Sequence, residues 1–118
     1  MKVNGIFEIA INVKNLEEST KFYKNVLGLK DGLLQEERRW NFLWIDDRKG
    51  MIVLIEENET FKPLHFAFSV EKNNLETLSK KVLEAGYSIS EPTNHDWMNA
   101  TSIYFQDPNG HDLEFIVV

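Results

Sequence analysis

The chain has 118 residues, 42% of them hydrophobic and 27% charged, which is enough for one folded domain with one core. Its formal charge of −6 comes from 13 basic and 19 acidic residues, with no basic cluster larger than pairs such as Arg38-Arg39 and Lys80-Lys81, and this disfavours nucleic acid as a partner. No stretch reaches the length of apolar sequence that spans a membrane, and the absence of cysteine excludes disulfides, a thiolate nucleophile and thiolate metal ligands. With no signal peptide evident at Met1–Gly5, a cytoplasmic setting is expected.

A first strand is predicted over about residues 5–13, with Glu8, Ala10 and Asn12 on one face and Ile9, Ile11 and Val13 on the other. Asn15 caps the following helix with Glu18 in the capping-box position, and Leu16, Ser19, Phe22, Tyr23, Val26 and Leu27 form its inward stripe up to Gly28. Strands follow at about 30–36, 39–46 and 51–57. The stripe Trp40, Phe42 and Trp44 is expected under a helix or at a dimer contact, which turns Asn41, Leu43, Ile45 and Leu54 toward a cleft.

After a link at Glu57–Pro63 the order repeats. His65, Ala67 and Ser69 share one face of a strand, and Phe66, Phe68 and Val70 take the other. Asn73 is expected to cap a helix whose stripe is Leu75, Leu78, Val82 and Ala85. Strands are predicted at about 87–90, 100–106 and 112–117, separated by a loop at Glu91–Asn99 and a turn at Asp107-Pro-Asn-Gly110. The fold class is α+β, with two βαβββ modules (about 1–58 and 63–118) in a single domain and a curved mixed sheet around a cleft. The duplication sets Glu8 against His65, and matching Gly50 to Gly110 sets Leu54 against Glu114. Glu8, His65 and Glu114 thereby reach equivalent strand positions, a pattern that points to a shared metal site. Asn12 and Ser69 lie on the same polar faces and are substrate-binding candidates, with Trp97 as a candidate ligand lid. His95 and His111 stay outside the site, as a loop residue and as a surface or structural one.

Asn15-Leu-Glu-Glu-Ser-Thr-Lys-Phe-Tyr-Lys-Asn-Val-Leu-Gly28, His65-Phe-Ala-Phe-Ser-Val70 and Asp107-Pro-Asn-Gly-His-Asp-Leu-Glu114 resemble motifs of the vicinal-oxygen-chelate superfamily. That superfamily includes glyoxalase I, the fosfomycin-modifying thiol transferases, dioxygenases and bleomycin-resistance proteins. The resemblance implies a U-shaped sheet around a metal cleft in a homodimer, with Glu8, His65 and Glu114 as metal ligands and Tyr104 as a substrate contact. Glu8 replaces the usual histidine and Leu54 cannot serve as the fourth ligand of glyoxalase I. No basic clamp for a phosphonate is evident either.

Two carboxylates and an imidazole favour Mn²⁺, Fe²⁺ or Mg²⁺ over Zn²⁺ or Ni²⁺. Two functions follow. One is a divalent-metal-dependent isomerase, lyase or thiol transferase acting on a small oxygen-chelating substrate, with Glu8 and Glu114 catalytic. The alternative is a metal-free protein that binds a small molecule or antibiotic, in the manner of bleomycin resistance.

Overall fold

The computed structural model describes residues 1–118. The chain divides into two compact units, Met1–Phe61 and Lys62–Val118. Each is a βαβββ module with a four-stranded mixed sheet, as the repeated pattern predicts. No helix is long and apolar enough to cross a membrane.

In the first unit, β1 (Glu8–Val13) leads into α1 (Leu16–Lys21), which continues as a π-helical turn over Phe22–Val26. Asn15 caps α1 as expected: its backbone is extended and its Oδ1 accepts from Glu18 N at 2.8 Å. A second free donor of the first turn, Leu16 N, is taken by Glu56 Oε2 at 2.8 Å. Leu16, Ser19, Phe22, Tyr23 and Val26 are buried, and Gly28, at φ +78°, lets the chain leave the helix in a left-handed conformation.

Strands β2 (Lys30–Gln35), β3 (Trp40–Ile45) and β4 (Gly50–Glu56) complete the sheet in the order β1-β4-β3-β2, with β1 parallel to β4. Arg39 ties three segments together. It reaches Glu56 Oε2 at 2.9 Å and Glu17 Oε1 at 2.7 Å, and lies beside Glu36. Its hydrogen bonds hold the Glu56 and Glu17 carboxyls below the ordinary carboxylate range, with the Leu16 N–H adding to the effect at Glu56. The same two carboxylates, Glu56 foremost, raise the pKa of Arg39 itself.

The register corrects the expected facing of this sheet. Asn41 pairs with Leu54 and Leu43 with Ile52, and all four are buried on the α1 side, where Asn41 Nδ2 donates to Thr20 Oγ1 at 3.0 Å. Trp40, Phe42 and Trp44 pair with Ile55, Val53 and Met51, which in turn pair with Asn12, Ala10 and Glu8. The aromatic stripe therefore shares the face of Glu8 and Asn12 and does not lie under the helix.

In the second unit, β5 (His65–Ser69) is followed by a 3₁₀ turn at Lys72–Asn74 and by α2 (Leu75–Glu84). The expected cap at Asn73 does not form. The 3₁₀ turn moves the cap position to Asn74, whose side chain makes no capping bond. Of the expected stripe only Val82 is fully buried, Leu75 and Leu78 are half-buried, and Ala85 is exposed beyond the helix end.

Strands β6 (Thr93–His95), β7 (Ala100–Gln106) and β8 (Asp112–Val117) give the order β5-β8-β7-β6, with β5 parallel to β8. The strand expected at 87–90 is reduced to one bridge, Ile89 to Phe105. Thr93–His95, inside the segment read as a loop, forms the edge strand instead, because Thr93 and His95 pair with Ser102 and Ala100.

Candidate functional site

The second sheet has one apolar and one polar face, fixed by alternation. Phe66, Leu113, Phe115, Ile103 and Phe105 are buried on one side. On the other, His65 comes from β5, Glu114 from β8, Ser102 and Tyr104 from β7, and His95 from β6. Glu114 stands opposite Tyr104 and is flanked diagonally by His65, which pairs with Asp112, and by Ser102, which pairs with Ile116. Such diagonal neighbours are within reach of polar side chains.

These five residues form one connected set. His65 Nε2 lies 3.1 Å from Glu114 Oε1, and Ser102 Oγ donates to Glu114 Oε2 in a short hydrogen bond. His95 Nε2 lies 3.1 Å from both Ser102 Oγ and the Tyr104 hydroxyl. The ring of Tyr104 sits 6.3 Å from that of His65. Glu114 and Ser102 are buried, whereas the His65 side chain is 56% exposed, so one end of the set opens outward.

The turn between β7 and β8 fixes this end of the sheet. Asp107 Oδ1 accepts from the N–H groups of Asn109 and His111, each at 2.9 Å. His111, wholly buried, accepts the Leu64 N–H on Nδ1 at 2.9 Å. His111 is thus structural, and it anchors the residue that precedes His65.

The pair His65–Glu114 fits a divalent cation. An imidazole nitrogen and a carboxylate oxygen 3.1 Å apart match adjacent ligands with metal bonds of about 2.1 Å, subtending roughly 95°. Ser102 occupies the other oxygen of Glu114, so only Oε1 faces His65. No group of three or more His, Asp or Glu side chains in the chain is arranged to hold a metal ion.

Of the other expected site residues, Glu8 and Asn12 lie on the first unit's aromatic face, Glu8 exposed and Asn12 half-buried. Arg38 stacks on Trp40 with its guanidinium carbon 3.4 Å from the ring centre, and Arg48 lies 4.8 Å from that of Trp44. Ser69 is exposed at the end of β5, and Trp97 is 85% exposed in the 3₁₀ turn Asp96–Met98 beside His95.

The expected equivalence of Leu54 and Glu114 is off by one. Glu8 pairs with Met51 and His65 with Asp112, so the structural counterpart of Glu114 is Val53. The two β-turns differ in length, and aligning their glycines displaced the strands. Either way an aliphatic residue stands there. Two members of the set, His95 and Ser102, went unrecognised in the sequence. Ser102 was in phase with Tyr104, two residues on, and that signal was available. His95 required knowledge of the edge strand.

A family model described as Glyoxalase/Bleomycin resistance protein/Dioxygenase superfamily matches residues 5–115. The metallothiol transferase FosB of Shouchella clausii is 33% identical over 95% of this chain and 79% of its own length. An integron cassette protein, HFX_CASS4, from the mobile metagenome of a Halifax Harbour sewage outfall, is 51% identical over 98% of this chain and all of its own, with a TM-score of 0.94. A variant of the fosfomycin resistance protein FosX of Listeria monocytogenes, complexed with Mn(II) and 1S,2S-dihydroxypropylphosphonic acid, shares the fold at 19% identity. Its TM-score is 0.81, over 97% of this chain and 92% of its own.

Proposed function

The chain belongs to the Glyoxalase/Bleomycin resistance protein/Dioxygenase superfamily, and we propose that it is a divalent-metal-dependent enzyme of thiol-transferase type acting on a small oxygen-chelating substrate. The observation that supports this reading is the His65–Glu114 pair, whose 3.1 Å spacing is compatible with two ligands of one ion, with Ser102 on the second carboxylate oxygen. The name of the Shouchella relative, a metallothiol transferase, supports the choice of reaction, and Mn(II) in the Listeria structure supports a hard divalent ion.

Glu8 is proposed as the third ligand. The proposed assembly is a homodimer in the cytoplasm. When bound, the ion supplies a Lewis acid that polarises the substrate oxygens it holds. The protein has no cysteine, so the attacking thiol belongs to a co-substrate. Tyr104, Asn12 and Ser69 are proposed to orient the substrate through hydrogen bonds, and Trp97 to cover it. Glu8, when not a ligand, is the carboxylate able to take the proton of the thiol. Arg38 and Arg48, over Trp40 and Trp44, bring cations to the Glu8 face, as does Lys30, which pairs with Trp44.

The second reading is a metal-free protein that binds a small molecule or antibiotic. Metal analysis of protein purified without chelator separates the two readings. The enzyme reading expects Mn²⁺ or Fe²⁺ near one equivalent per chain, lost in His65→Ala. Metal-free protein that takes up none of these ions on dialysis contradicts it.

A further inference from the structure

The direction of each hydrogen bond around Glu114 follows from what each group can donate. Ser102 Oγ donates its single hydroxyl hydrogen to Glu114 Oε2. Toward His95 the Ser102 oxygen is then an acceptor, and the group that faces it at 3.1 Å is Nε2. A proton on Nε2 of His95 would make it the donor in this contact. Nε2 lies 3.1 Å from the Tyr104 oxygen as well.

We propose that His95, donating from Nε2, is a positioning residue that acts through Ser102 on Glu114. The proposal rests on the reading above, in which His65 and Glu114 hold the ion. Its physical content is orientation. With Oε2 fixed by Ser102, Glu114 can offer only Oε1 toward His65, and a carboxylate free to rotate has no such preference. Partners behind a metal ligand commonly change affinity by about 10–100-fold when removed.

The test combines Mn²⁺ titration with the tautomeric state of His95, read by two-bond ¹H–¹⁵N NMR on metal-free protein. Wild type is expected to show His95 protonated on Nε2. Ser102→Ala and His95→Leu should each weaken Mn²⁺ binding by about 10–100-fold. His95→Gln, whose amide N–H can replace the donor but does not titrate, should recover most of the loss. A role in packing alone predicts no such difference between Leu and Gln. His95 is half-buried on an edge strand, so its variants serve even if Ser102→Ala, at a fully buried position, fails to fold.

Wild-type protein that binds Mn²⁺ no better than His95→Leu, or His95 protonated on Nδ1, overturns this inference alone. Wild-type protein that takes up no Mn²⁺ overturns the proposed function and this inference with it.

Discussion

The N–H of Leu64 donates to Nδ1 of His111 across the seam between β5 and β8, and Leu64 O accepts from Asp112 N at 2.8 Å. The two bonds lock the residue before His65 to the start of the strand that carries Glu114. His111→Ala should leave a buried N–H without its acceptor and open a cavity, with a loss of about 2–4 kcal/mol in urea unfolding. Loss of Mn²⁺ affinity should accompany it, because His65 is no longer held in register with Glu114.

The Arg39 cluster makes a pH prediction. Glu56 and Glu17 have pKa values lowered from 4.5 in the folded protein. A depressed carboxyl contributes stability that is present in full above its unfolded value and is lost as pH falls through the folded value. Melting temperature should therefore drop as pH is taken from about 5 toward 3. Glu56→Gln should be less stable at pH 7 and show a shallower acid limb, since the variant has one fewer shifted carboxyl. An acid limb as steep as in wild type would assign the loss to other groups.

Gly32 sits in the irregular part of the β2–β3 pairing, where an added Cβ would lie 2.4 Å from the Phe42 carbonyl oxygen. Gly32→Ala should cost about 1–3 kcal/mol because backbone must shift to admit it. Gly5→Ala, with open space around it, is the control and should change stability little.

A dimer prediction follows from the aromatic face of the first unit. Light scattering at micromolar concentration should give twice 13.8 kDa. Mixing Glu8→Ala with His65→Ala protein restores Mn²⁺ binding if the ligands come from two copies. It restores none if each chain completes its own site.

The strands that open each unit were legible because their alternation is strict, and Asn15 with Glu18 announced the first helix. Two features were not. The one-residue slip between the repeats arose from unequal turns, and in a strand a slip of one reverses every side chain, which is why Trp40, Phe42 and Trp44 were given the wrong face. Thr93–His95 has no pattern of its own and is a strand only because β7 offers it partners. His95 therefore looked like a loop residue, and its bonds to Ser102 and Tyr104 exist only in the folded sheet. His65 and Glu114 are legible in the repeated strands and Tyr104 in the family resemblance, and the fold sets the three on one face within one network.

In the proposed function His65 and Glu114 hold a divalent ion in the folded protein, and thermal unfolding with and without Mn²⁺ reads this out. At about 100 times Kd, binding to the folded state alone should stabilise by roughly 2.7 kcal/mol. For a chain of this size that corresponds to a Tm rise on the order of 10 °C. His65→Ala should fold and lose most of that rise. A panel of Mn²⁺, Fe²⁺, Mg²⁺, Zn²⁺ and Ni²⁺ that leaves the wild-type Tm unmoved would contradict the claim.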